Sequence, residues 1–250
     1  MPLYGYPLLI VAGFIAGFVN TLAGSGSLVT LPALIFLGLP AGLANGTNRV
    51  AILLQNIVAV SSFHGHRVLE FRRGLVLAIP AILGSVIGAR IAVGLDEEVL
   101  RRTIGALMLM MAVVILLRPK RWMEGRQASD RKLPWWLTAT LFFLVGVYGG
   151  FIQAGVGIFL LVGLVLASGF DLMRANAVKV LIVLCFTVFT LAVFVYHGQV
   201  DWGVGLVLGV GNMAGAFVAT KMAVKRGTGF LRWFLVTVVL ASGVAFVLGF

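Results

Sequence analysis

Charged residues are scarce in this chain of 250 residues, and acidic residues are the scarcest of them. Only 11% of the residues are Asp, Glu, Lys or Arg, whereas 61% are apolar and the mean hydropathy is +1.10. A soluble domain carries about 25% charged residues because its surface must face water. The composition therefore excludes a soluble globule. It predicts an all-α membrane protein that crosses the bilayer several times, because the apolar stretches are long enough to span about 30 Å of hydrocarbon.

Catalytic and redox signatures are also missing. The single cysteine, Cys185, excludes an intrachain disulfide. The sequence contains no zinc-type spacing of His, Cys and Glu and no phosphate-binding loop of the GxxxxGK[ST] kind. No carboxylate falls within an apolar stretch, so coupling to sodium or protons through a buried acid has no support. We therefore expect neither an enzyme nor a protein with a metal ion or cofactor.

Positive charge is concentrated between the apolar stretches. The net charge of +11 could indicate nucleic acid binding, but the basic residues lie beside apolar stretches, where the positive-inside rule places them. The most basic segment, 118–134, is predicted to be a cytoplasmic linker between transmembrane repeats at 1–117 and 135–250. The expected partners are the lipid bilayer and a small anion, and a homo-oligomer is left open.

The two halves of the chain resemble each other at two nearly equal offsets in residue number. The first offset places Gly13, Gly17, Asn20 and Gly24 on Gly146, Gly150, Gln153 and Gly157. The second, slightly smaller offset places Asn45, Gly74, Gly84 and Arg90 on Asn176, Gly205, Gly215 and Lys221. The basic loops predict opposite orientations for the two copies, with both chain ends outside. The fold prediction is two inverted repeats, each with a glycine-broken helical hairpin and three transmembrane helices. The short arms of the hairpins leave a re-entrant course open.

The helix break in the first hairpin is the first candidate site. Glycine and serine at Gly24, Ser25, Gly26 and Ser27 disfavour a continuous helix. Backbone amides freed by such a break, and the positive end of the next half-helix, suit an anion, and Asn20 adds an amide. The alternative is close helix packing through small residues.

A second set of polar residues opens the apolar stretch 44–63. Intramembrane ionisable residues are site candidates, and Arg can bind an oxyanion through two parallel hydrogen bonds; snorkelling to the interface is the alternative. The candidate binding residues here are Asn45, Thr47, Asn48 and Arg49, with Gln153, Asn176 and Lys179 facing them from the second half. Arg90 and Lys221 end their stretches at equivalent places, where they attract anions to the two mouths or anchor the helices.

These motifs resemble those of the sulfite exporter TauE/SafE family of bacterial and archaeal membrane proteins. The resemblance rests on GFVNTLAGSGSLVTLPAL, a GLP turn and ANGTNRVA, and on the weaker second copy GGFIQAGVGIFLLVGLVLASGFDLMRANAVKV. It implies a multi-pass protein of the plasma (inner) membrane that transports sulfite, sulfoacetate or another organosulfur anion. Two features depart from many relatives: the GSGS run replaces a run of glycines, and Arg49 stands where lysine is common.

The sequence therefore predicts an exporter of a small anion that works by alternating access. Two alternatives remain open at this point: an anion channel, and a membrane-embedded binding subunit that transports nothing.

Overall fold

The computed structural model describes residues 5–116 and 133–247, and within those ranges the chain contains helices and no strands. Nine helices are present there: α1 Gly5–Ala23, α2 Ser27–Phe36, α3 Ala41–Gly65, α4 Phe71–Val93, α5 Glu97–Leu116, α6 Trp135–Phe151, α7 Val156–Leu166, α8 Leu172–Tyr196 and α9 Trp202–Val247. Helix α9 contains the non-helical Gly227, with φ 71°, so it consists of two helical segments.

Four helices are long and apolar enough to cross a membrane: α1, α4, α8 and the first segment of α9, Trp202–Gly227. The helices α2, α6 and α7 are also apolar but only 10–17 residues long. An apolar helix needs about 20 residues to cross the hydrocarbon core. The prediction of an all-helical, multi-pass membrane protein is therefore confirmed. The predicted boundaries of the two repeats remain predictions, since most of the linker 118–134 lies outside the described residues.

Both predicted helix interruptions are present. Helix α1 ends at Ala23 and α2 begins at Ser27, with Gly24 at φ 78°. In the second half α6 ends at Phe151 and α7 begins at Val156. The second interruption contains two residues with positive φ, Gln153 at 52° and Gly155 at 72°. Gln153 is unusual because a side chain in this region is sterically disfavoured.

Helices of one half pack along helices of the other half. Helix α1 of the first half packs along α9 of the second, and α6 of the second half packs along α4 of the first. The contacts are close because glycines face the partner backbone: a Cβ at Gly17 would collide with Asn212, and a Cβ at Gly84 would collide with Phe143. Small residues allow such backbone approach between membrane helices. This packing places α3 and α8 in the middle of the molecule.

Helices α3 and α8 carry half of the buried polar side chains in the described part of the chain. Each contributes one fully enclosed basic residue, Arg49 in α3 and Lys179 in α8, with exposed fractions of 0% and 1%. Their apolar residues, including Ile52 and Val183, fill the surrounding interior. The two interrupted hairpins lie against these two helices, so the polar groups of α3 and α8 meet the helix breaks inside the protein.

Candidate functional site

The two helix breaks touch each other in the interior. The amide of Gly157 donates a hydrogen bond to the carbonyl oxygen of Gly24, at 3.2 Å. A Cβ on either glycine would collide with the backbone of the other. These two glycines are equivalent positions of the two halves under the first offset. Only glycine fits at this contact, and Gly24 also has the positive φ that glycine tolerates.

A small cavity lies beside this contact. Its volume is about 10 Å³, which is room for roughly one water molecule. It is lined by Asn20, Gly24, Ile52, Asn56, Gln153, Val156, Gly157, Lys179 and Val183. Several of these residues are equivalent between the halves: Asn20 and Gln153 under the first offset, Ile52 and Val183 under the second. Residues at equivalent positions of the two halves therefore line the cavity, at the point where the two helix breaks meet.

Among the described residues, Lys179 is the only cation that lines this cavity. Its ammonium donates to the carbonyl oxygens of Asn20 at 3.1 Å and Thr21 at 2.9 Å, and to Asn176 Oδ1 at 2.7 Å. These carbonyls belong to the last turn of α1, where the helix dipole is negative. The Asn20 carbonyl also accepts the amide of Gly24 at 2.8 Å. The ammonium is therefore held by neutral oxygens. It forms no hydrogen bond to a carboxylate in the part of the chain that the structure describes.

Arg49 contacts the end of the other interrupted helix, α6. Its guanidinium donates hydrogen bonds to four oxygens: Gly150 O at 2.5 Å, Thr190 Oγ1 at 3.0 Å, Gly149 O at 3.4 Å and Asn45 Oδ1 at 3.5 Å. The guanidinium carbon also lies 4.4 Å from the centre of the Phe194 ring. Arg49 does not line the cavity. Each half thus contributes one buried cation that binds the carbonyl end of the interrupted helix in the other half.

Amide side chains complete the polar lining. Asn20 Nδ2 donates to Gln55 Oε1 at 3.1 Å, and Gln153 Nε2 donates to Thr187 Oγ1 at 2.7 Å. Some buried atoms of this region have no hydrogen-bond partner among the described residues; these are Gln153 Oε1, Gln55 Nε2, Asn176 Nδ2 and Thr21 Oγ1. Buried polar groups are normally hydrogen-bonded. The unpaired groups therefore mark a place where a polar ligand or water would gain contacts.

The remaining predicted site residues do not line the cavity. Ser25 and Gly26 are buried in the first break. Asn48 joins α3 to α2, because Thr30 Oγ1 donates to its Oδ1 at 2.7 Å and its Nδ2 donates to Ser27 Oγ at 3.3 Å.

Asn45 and Thr47 hold neighbouring segments of the second half. Asn45 Nδ2 donates to the carbonyl of Phe151 at 2.8 Å, at the end of α6, and Thr47 Oγ1 accepts the amide of Asp201 at 2.9 Å. The two cations predicted at the mouths, Arg90 and Lys221, are exposed, and Lys221 Nζ lies 4.1 Å from the centre of the Phe217 ring. Their roles remain predictions.

Asn56 and Thr187 are lining or supporting residues that the site prediction omitted. Asn56 lines the cavity and Thr187 orients Gln153. The two residues occupy equivalent positions of the halves under the second offset. That equivalence, together with the polarity of both in apolar stretches, is the signal that could have found them. In residues 5–116 and 133–247 no group of three or more His, Cys, Asp or Glu side chains could hold a metal ion.

The chain is similar in sequence to a known protein family and to several named relatives. The family model described as "Sulfite exporter TauE/SafE" matches residues 9–246. A "Probable membrane transporter protein ORF9" from Sinorhizobium sp. is 31% identical over 236 residues, which are 94% of this chain and 90% of the relative.

Two further relatives are also named as probable membrane transporter proteins. One from Haemophilus influenzae is 29% identical over 90% of this chain and 88% of its own length, and YfcA from Escherichia coli K12 is 29% identical over 92% and 85%. No solved structure matches the chain significantly. The match over nearly the whole length shows that this chain belongs to the sulfite exporter TauE/SafE family.

Proposed function

We propose that the chain is a secondary transporter that exports a small anion, with sulfite, sulfoacetate or another organosulfur anion as its substrate. The observation that carries the proposal is the Lys179 ammonium, which lines an internal polar cavity where the two helix breaks meet. The relatives' names, which describe probable membrane transporters, support the same class of function.

The charge of the cavity favours an anion. Burial of an ion costs several kcal/mol unless its charge is offset, and the ion pairs of the described residues all lie at exposed helix ends and include neither Lys179 nor Arg49. An anion beside Lys179 would offset the ammonium directly, whereas a cation would be repelled. Gln55 and Asn176 do not line the cavity, but they are hydrogen-bonded to the lining residues Asn20 and Lys179. Once the walls move apart, their unpaired donors Nε2 and Nδ2 would supply hydrogen bonds that replace part of the anion's hydration shell.

The size of the cavity supports alternating access. At about 10 Å³ it cannot accept a sulfite ion without movement of its walls. The walls come from two halves that meet at the Gly24–Gly157 contact, and we infer that the halves are inverted repeats that move against each other. Transporters built in this way bind substrate at the repeat interface beside interrupted helices. The hairpin formed by α1 and α2, and that formed by α6 and α7, would then open the cavity to one side at a time.

The test is flux of sulfite and sulfoacetate into liposomes that contain the purified protein, for the wild type, Lys179→Met and Lys179→Arg. We expect saturable flux in the wild type. Lys179→Met keeps the length of the side chain but removes its charge, so it should lower the apparent affinity about 10- to 100-fold, the effect of losing a hydrogen bond to a charged group. Lys179→Arg should retain part of the flux. Lys225→Met removes an exposed lysine outside the cavity and is the matched control.

Each outcome distinguishes one part of the proposal. Equal flux in the wild type and Lys179→Met would remove Lys179 from the substrate site. Conductance far above the turnover of a carrier would identify a channel. Binding of the anions without flux would identify a non-transporting subunit, and the absence of both binding and flux would exclude sulfite and sulfoacetate as substrates.

A further inference from the structure

A second, larger groove lies near one end of the helix bundle. It is bounded by the beginning of α4, the beginning of α6 and the connection between α7 and α8, and its volume is about 390 Å³. It shares no lining residue with the central cavity. It is therefore a separate feature, and the proposed transport site does not account for it.

The groove has a basic end and an apolar wall. Arg72 and Arg73 form the basic end, and Val76, Leu77 and Leu133 line the wall. Arg73 is partly engaged, since it donates to Glu70 Oε2 at 2.8 Å and to the carbonyl of Ser168 at 3.2 Å. Arg72 is exposed and has no hydrogen-bond or ion-pair partner among the described residues. The Arg72 guanidinium is therefore free to bind an anionic group at the basic end of the groove.

A buried hydroxyl group also points to a ligand. Ser168 lines the groove and is only 8% exposed, and its Oγ has no hydrogen-bond partner in the described part of the chain. A buried hydroxyl without a partner is unfavourable by about 1–3 kcal/mol. A ligand oxygen in the groove would remove this cost, which the apolar wall cannot do.

Two features indicate that the groove lies at the boundary between the hydrocarbon and the headgroups. Helix α4, a candidate membrane span, begins at Phe71, one residue before Arg72. Trp135 begins α6, lines the groove and is 56% exposed, as expected for an aromatic residue at a membrane interface. The apolar wall then runs toward the bilayer interior along α4, through Val76 and Leu77.

We propose that this groove binds an anionic phospholipid. The phosphate group lies against Arg72 and the Ser168 hydroxyl, and an acyl chain lies along Val76 and Leu133. Basic pockets between membrane helices bind anionic headgroups. A free inorganic anion would make no use of the apolar wall.

Native mass spectrometry of the purified full-length protein tests this assignment, with dioleoylphosphatidylglycerol as the probe and dioleoylphosphatidylcholine as the neutral comparison. We expect one tightly bound phosphatidylglycerol, held more strongly than phosphatidylcholine. Arg72→Gln should weaken phosphatidylglycerol binding about fivefold, the contribution of one basic residue near an anionic lipid. Arg67→Gln removes an exposed arginine of the connection between α3 and α4 that does not line the groove, and it should leave binding unchanged.

A second variant tests the apolar part independently of charge. Val76→Trp fills the groove from an exposed position and should also weaken binding of the lipid. Equal retention of both lipids, or equal affinity in Arg72→Gln and Arg67→Gln, would overturn the proposal. Displacement of phosphatidylglycerol by millimolar inorganic phosphate, with no effect of Val76→Trp, would assign a site for free phosphate and would likewise overturn it.

Discussion

Gly24 and Gly157 are bonded to each other through their backbones, with 3.2 Å between the amide nitrogen of Gly157 and the carbonyl oxygen of Gly24. The two glycines stand at corresponding points of two similar sequences, so this tight backbone contact of the interior joins one position to its own counterpart. A contact of this kind is what a two-fold relation between the halves would produce. It couples the two interrupted hairpins at the wall of the cavity.

The first prediction concerns crowding at this contact. Gly24→Ala introduces a Cβ that collides with the Gly157 backbone and also places a side chain at φ 78°. We expect a large loss of thermal stability in detergent, measured by the unfolding midpoint, and loss of transport. Gly198→Ala is the matched control, because Gly198 has φ 68° but open space around the position of a Cβ. Gly198→Ala should lower the free energy of unfolding by only about 1–2 kcal/mol, the penalty for a side chain in the left-handed conformation. Equal decreases of the unfolding midpoint in Gly24→Ala and Gly198→Ala would contradict the prediction that crowding at the Gly24–Gly157 contact destabilises the protein.

The second prediction concerns Arg49. Arg49→Met removes the donors for the carbonyls of Gly149 and Gly150 at the end of α6. Each carbonyl left without a donor should cost about 1–3 kcal/mol, so the unfolding midpoint should fall and transport should fall with it. Arg49→Lys should restore only part of the stability, because one ammonium cannot reproduce the planar set of donors.

The Arg49 variants can be compared directly with Lys179→Met in the same stability measurement. Arg49 binds a helix end outside the cavity, whereas Lys179 lines the cavity itself. Loss of transport in Arg49→Met with an unchanged unfolding midpoint would contradict a positioning role and would favour direct contact between Arg49 and the anion.

Sequence reasoning identified the helix class and both interruptions, because glycine and serine in apolar stretches carry a strong local signal. It also proposed Lys179, Asn20 and Gln153 as candidate site residues, and all three line the cavity. It could not separate Arg49 from Lys179, since both are basic residues within apolar stretches and only tertiary packing decides which cavity or helix end each one faces. The neutral residues Asn56 and Thr187 were missed although the repeat equivalence was visible in the sequence, because their contacts with the cavity and with Gln153 depend on packing between distant parts of the chain.

The third prediction concerns Glu97 at the start of α5. Its carboxylate accepts hydrogen bonds from the amides of Ala41 and Gly42, the latter at 3.2 Å, at the beginning of α3. A carboxylate at a helix N-terminus satisfies free amides and interacts favourably with the helix dipole. Glu97→Gln should therefore lower stability by about 0.5–2 kcal/mol, the range measured for helix caps. The free energy of unfolding in denaturant titration is the measurement.

The control for Glu97 is the neighbouring acid. Among the described residues, Glu98 forms ion pairs only with Arg101 and Arg102, and all three side chains are at least half exposed. Exposed ion pairs contribute about 0–1 kcal/mol, so Glu98→Gln should change stability little. A larger effect for Glu98→Gln than for Glu97→Gln would contradict the assignment of Glu97 as the cap of α3.

The fourth prediction concerns the pH dependence of an ion cluster between α4 and α8. Glu70 accepts hydrogen bonds from Arg73 at 2.8 Å and from Arg174 at 2.9 Å. Partial burial raises the pKa of the Glu70 carboxyl, but the hydrogen bonds and charges of Arg174 and Arg73 together outweigh it, so the pKa is lowered overall. A lowered pKa means that the ionised carboxyl stabilises the folded state. This stabilisation is complete above the pKa in the unfolded chain, about 4.3, and is lost as the pH falls through the lower folded value.

Glu70→Gln tests this dependence through the unfolding midpoint measured at a series of pH values. The wild type should be more stable than the variant near neutral pH, by no more than about 1 kcal/mol because the arginines are largely exposed. The difference should shrink as the pH falls below about 4.3. Asp96→Asn is the control, since Asp96 is exposed and forms no ion pair among the described residues, and its difference from the wild type should stay near zero throughout. A difference between the wild type and Glu70→Gln that grows toward acidic pH would reverse the sign of the coupling and would mean that the protonated carboxyl is the form that holds α4 against α8.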